Sequence, residues 1–110
     1  MSTKDNRIDF HAVLEGLYGG TNPHVYFQPP ENIQMQYPAI VYNRYNIDND
    51  HANNKVYLQS VMFQVIVIDK NPDSDIVDRV SKYPTARFSR HYVSNNLNHD
   101  VFMITYEKFL

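Results

Sequence analysis

Val61-Met62-Phe63-Gln64-Val65-Ile66-Val67-Ile68-Asp69 is apolar on both of its alternating faces, as a strand covered on two sides should be. It passes directly into Lys70-Asn71-Pro72-Asp73-Ser74-Asp75, which has the chemistry of a helix start. Asn71 can cap the free amides, Pro72 has the fixed φ of a first helical residue, and Asp73 and Asp75 complement the positive helix end. A central strand handing over to a capped helix predicts a sheet with helical cover.

The same reading extends along the chain. Between Arg7 and Tyr18, Phe10, Val13, Leu14 and Leu17 fall on one helical stripe, and Gly19-Gly20 ends it. A short strand is expected from His24 to Gln28, halted by Pro29-Pro30. Ala39 to Ile47 alternates around Ile40, Tyr42 and Arg44 as a second strand. Asp48 to Asn54 is rich in turn formers and reads as a loop, joining that strand to the long one from Lys55 to Asp69 as an antiparallel hairpin. The helix capped by Asn71 carries Ile76, Val77, Val80 and Tyr83 and stops before Pro84. Two last strands, about Arg87 to Val93 and Leu97 to Tyr106, flank Ser94-Asn95-Asn96, a tight hairpin turn by composition. The order α-β-β-β-α-β-β predicts one α+β domain over residues 1–110, a mainly antiparallel β-sheet flanked by two helices.

Composition narrows the classes of function. The chain is 43% hydrophobic and 14% aromatic, with nine Tyr, six Phe and no Trp, which is ample for a core. Tyr suits half-buried surfaces, including interfaces and ordinary sheet faces. The net charge of −2 provides no basic excess for gripping phosphates, and Arg87 and Arg90 are the only close arginine pair. Cysteine is absent, so disulfides and thiolate metal sites are excluded. Met1 to Asn6 has no apolar signal region, and no apolar run approaches the ~18 residues of a membrane span. A soluble protein without a signal peptide is expected.

No motif carries recognisable catalysis. Asp48, Asp50 and His51 resemble part of a cation loop, but a calcium loop beginning at Asp48 needs Gly where Asn53 stands and Glu where Gln59 stands. A solvated hairpin tip is the better reading, and its length and polarity make it a plausible docking arm. His91, His99 and Asp100 offer a base with an orienting carboxylate, but no Ser or Cys nucleophile lies in a motif beside them. Histidines hydrogen-bonded across a hairpin are the simpler expectation. Gly19-Gly20 precedes a strand rather than opening a helix, so it cannot cradle a phosphate as a nucleotide loop does. Arg44, Arg87 and Arg90 can meet DNA phosphates, carboxylates of a neighbouring subunit, or simply water. No metal or cofactor is expected.

Three stretches together carry a family likeness. They are Val25-Tyr26-Phe27-Gln28-Pro29-Pro30-Glu31-Asn32-Ile33 followed by Tyr37-Pro38-Ala39-Ile40-Val41-Tyr42; Val67 to Ser74; and Phe88 to Val93 with Asn96-Leu97-Asn98-His99-Asp100. In that order and spacing the chain resembles tail terminator (tail completion) proteins of long-tailed bacteriophages, particularly those infecting Gram-positive hosts. The likeness spans roughly residues 7 to 106. It implies a structural virion protein of the tail or neck, assembled in the host cytoplasm. Such proteins form a closed, typically hexameric ring on the head-proximal end of the tail tube, ending its polymerisation. They present a surface to the head-completion or connector proteins, and DNA passes through the ring without specific binding. The family brings no catalytic residues and no membrane partner. From loop and aromatic positions, the expected oligomer or tube contacts are Tyr42, Arg44, Asp48, Asp50, His51, Tyr57, Arg90 and Tyr92. Two other classes stay open: another neck component, such as a head-closure or adaptor protein, and a small hydrolase using His91 or His99.

Overall fold

A computed structural model describes residues 3–52 and 55–109. The element order is α1 (Thr3–Tyr18), β1 (Val25–Phe27), β2 (Ala39–Ala52), β3 (Lys55–Asp69), α2 (Asp75–Ser81), β4 (Arg87–Ser94) and β5 (Leu97–Phe109). The strands form one sheet in the order β1-β2-β3-β5-β4. All its neighbouring pairs are antiparallel except β1 with β2. This is the expected α+β fold with the expected element order.

The long strand β3 explains the layering. Val61, Phe63, Val65 and Val67 alternate onto one face and are fully buried. Phe10 and Leu14 of α1 and Ile76 and Val80 of α2 join them in the core, with Ile40 and Tyr42 from β2 and Phe102 and Ile104 from β5. Both helices therefore cover the same face. At about 1.5–3 kcal/mol for each fully buried large side chain, this one layer supplies the main driving force for folding. Phe10 stacks on Phe63 at 4.4 Å between ring centres and meets Tyr42 edge-on at 5.8 Å.

The expectation of cover on both faces of β3 is not met. Met62, Gln64 and Ile66 point to a face that no described helix covers, and they are half-buried by strand neighbours alone. Apolar β-branched residues there report the centre of the sheet: Val101, also on this face, is fully buried between its register partners Ile66 and Arg90.

Further boundaries differ from the sequence reading: α1 begins at Thr3 rather than Arg7, and β5 runs to Phe109 rather than about Tyr106. Asp48 to Ala52 is not a loop. It continues β2 in register with β3, from Asp48 opposite Ser60 to Ala52 opposite Lys55. Polar turn formers are tolerated because Asp48 to His51 are all exposed, so no apolar alternation is needed to hold them; Asn53 and Asn54 lie outside the described residues. The second helix starts later than Asn71 implies. Asp69 Oδ1 accepts the Asn71 N–H at 3.0 Å, and Asn71 Oδ1 accepts the Asp73 N–H at 2.9 Å, two side-chain turns in succession. Ser74 is the actual cap, its Oγ accepting the Ile76 N–H at 3.2 Å.

Chain reversals follow their residues closely. Gly19 and Gly20 have φ of 79° and 76°, the left-handed conformation that closes a helix at little cost for glycine. The carbonyls of Leu17 and Tyr18 left open there accept hydrogen bonds from the Arg79 guanidinium at 2.6 Å each, which ties α2 to the end of α1. Asn95 and Asn96, at φ 53° and 62°, make the two-residue turn between β4 and β5.

Candidate interaction surface

The sheet is open at both edges. β1 covers β2 only from Ile40 to Tyr42, so from Asn43 onward the outer side of β2 has no neighbouring strand among the described residues. At the opposite edge β4 pairs, among the described residues, with β5 alone, and every one of its residues from Arg87 to Ser94 is exposed. Unpaired edges present rows of amide and carbonyl groups ready to accept another strand. Bulges mark both edges: Tyr45 is the extra residue between Arg44 and Asn46, and Ser89 is the extra residue between Phe88 and Arg90.

Large apolar side chains are exposed near these bulges, Tyr45 at 67% and Phe88 at 59%. On the helix-free face an open trough runs between them, lined by Tyr45, Met62, Gln64, Arg87, Arg90 and Met103. A second depression adjoins the trough at Met62, further along β2, and is lined by Asn46, Asp48, Ser60, Thr105 and Glu107. A cationic stretch of this face, with Arg87 and Arg90, thus adjoins an anionic one, with Asp48 and Glu107.

The expected contact residues do not all belong to this surface. Tyr42 is corrected to a packing residue: it is 1% exposed, and its hydroxyl lies 2.7 Å from His11 Nδ1. Burial raises the Tyr42 phenol above its usual range, opposed by a hydrogen bond and the positive charge from Arg7. Arg44 is exposed but projects to the helix side, 5.8 Å from the centre of the Phe27 ring, which Arg7 also approaches at 4.7 Å. Asp48, Asp50 and His51 are exposed on the outer half of β2. Tyr57 lies in β3, and its side chain falls outside the described set. Arg90 and Tyr92 are together on β4, with the guanidinium 5.4 Å from the Tyr92 ring centre and Tyr92 stacked on His99 at 4.6 Å. Sequence reasoning misses Tyr45 and Phe88, because each sits beside a bulge where the two-residue alternation breaks and leaves no pattern to follow.

His91 Nδ1 and Asp100 Oδ1 are 2.9 Å apart across the β4–β5 pair, as a cross-hairpin hydrogen bond would place them. His99 Nδ1 instead lies 3.0 Å from the Leu97 carbonyl oxygen of its own strand. Among the described residues no group of His, Asp and Glu is arranged to hold a metal ion, and no helix is long and apolar enough to cross a membrane.

No family model matches the chain, and no curated protein matches it either. The structural ground for a function is therefore the geometry of this surface.

Proposed function

We propose that this protein is a ring-forming tail terminator of a long-tailed bacteriophage. Copies close, six by analogy with the family, on the head-proximal end of the tail tube, stop its growth and offer the head connector a docking surface around the DNA path. The observation that carries the reading is a small, well-packed domain whose sheet is unfinished at both edges, joined to a likeness that runs through nearly the whole chain. A contact made by two different edges is heterologous, and such contacts close into rings when the rotation between copies divides a full turn. The weak negative charge suits a wall past which DNA slides without being held.

Electron microscopy of the protein mixed with purified tail tubes tests this directly. The expected image is a ring at one tube end, and a phage lacking the protein is expected to yield unjoined heads and tails of abnormal length. Tails of normal length that lack only the head connection would favour the neck-component reading instead. Loss of a hydrolytic activity in His99→Ala, with assembly intact, would favour the enzyme.

A further inference from the structure

We infer that the ring seam is a strand pairing between β4 of one copy and the outer half of β2, Asn43 to Ala52, of a second copy; this rests on the ring reading above. Strand direction, charge and offset point to the same arrangement. Successive strands β2, β3, β5 and β4 alternate in direction, so β4 runs opposite to β2. Rotation about the ring axis preserves the up or down sense of each strand along it. β4 and the neighbour's β2 then meet antiparallel, and the alternation continues unbroken across the seam.

Charge is complementary. β4 brings Arg87 and Arg90 and no acidic residue; Asn43 to Ala52 brings Asp48 and Asp50, and its one cation, Arg44, lies on the opposite, helix-side face. By register all four side chains lie on the helix-free face: Arg87 opposes Met103, Arg90 opposes Val101, Asp48 opposes Ser60 and Asp50 opposes Leu58. Residues on one face of a sheet are neighbours across a strand pair, so the two arginines and two aspartates would meet there.

The offset between the edges fits a closed wall. Arg90 is level with Val41 through Val101 and Ile66, whereas the centre of the free stretch of β2 is near Asp48, about seven positions further along. At ~3.3 Å per residue the step is ~23 Å, against ~19 Å for the width of four strands at ~4.8 Å each. The strands would tilt by ~50° from the ring axis, slightly above the ~35–45° of closed barrels. The step also carries β4 clear of β1, which occupies the outer side of β2 at Ile40 to Tyr42.

Charge reversal tests the seam, with masses measured by light scattering alone and after mixing with tail tubes. D48R/D50R and R87D/R90D are each expected to fall to monomer mass with an unchanged far-ultraviolet circular dichroism spectrum, because all four sites are exposed. An equimolar mixture of the two variants, and the single chain carrying all four changes, are expected to recover the wild-type mass. D73R/D75R, the same charge change away from both edges, should assemble normally. Reversal variants that assemble like wild type, or a mixture that stays monomeric, would overturn the seam and leave the ring intact. A wild-type protein that stays monomeric even with tail tubes would overturn both.

Discussion

Gln59 joins the outer half of the sheet to α1. It sits in β3 opposite Asn49, is 9% exposed, donates to Asn49 Oδ1 at 3.1 Å and accepts from Asn6 Nδ2 at 3.4 Å. Asn6 is itself 1% exposed, and its Oδ1 has no hydrogen-bond partner among the described residues. Gln59→Leu removes both bonds and leaves the buried Asn6 amide without an acceptor. Stranding a buried donor costs about 1–3 kcal/mol, so a loss of ~2 kcal/mol is expected. At ~4–8 °C per kcal/mol for a domain near this size, Tm should fall by roughly 8–16 °C. Asn6→Leu should cost less, since it also removes the unpartnered oxygen. The double variant should be more stable than Gln59→Leu alone, with a coupling energy of at least ~1 kcal/mol. Urea unfolding at two protein concentrations provides the assay and separates fold stability from any contribution of self-association. Additive single-variant losses, or a Gln59→Leu protein as stable as wild type, would refute the claim that this polar chain fastens the strands to the helix.

Phe63→Ala opens the centre of the helix-covered core beneath the Phe10 ring and should cost about 3–5 kcal/mol in urea unfolding, enough to threaten a domain of this size. Tyr42→Phe loses the hydrogen bond to His11 and should cost ~1 kcal/mol near neutral pH. The folded state also holds the Tyr42 phenol above its ordinary value, so its stabilisation is present below ~pH 10 and is lost as pH rises through the folded value. Thermal melts between pH 8 and 11 should therefore show a shallower alkaline decline in Tyr42→Phe than in wild type. Asn95→Ala places a residue with no local hydrogen-bonding side chain at positive φ and should cost ~1 kcal/mol, whereas Asn96→Gly should be neutral or stabilising by chemical denaturation.

Local chemistry is what the chain makes legible. The stripe Phe10-Val13-Leu14-Leu17, the glycine stop and the Asn95-Asn96 turn each depend on neighbours in sequence, and all three stand as expected. The outer half of β2 is illegible because its polar residues are held by pairing to β3, a partner whose register no local pattern reveals. The helix cap is ambiguous because Asn71 and Ser74 are both good acceptors, and the turn seeded by Asp69 uses the first before the helix can. Of the candidate surface, Asp48, Asp50, Arg90 and Tyr92 are readable from exposure-prone chemistry, whereas Tyr42 looks identical to Tyr92 in sequence. Its neighbour across the sheet, Val65, and the overlying Phe10 decide that it is core.

Pro29 and Pro30 follow closely on the end of β1, and the intervening Gln28 already leaves the extended conformation at φ 42°. Proline has no amide hydrogen to donate, so β1 has no means of growing along β2 past its present limit. The vacancy beside Asn43 is consequently a permanent property of the covalent chain, one that thermal motion cannot zip shut. With no described strand of the same chain beside them, those backbone groups are left to water, to side chains or to a second polypeptide.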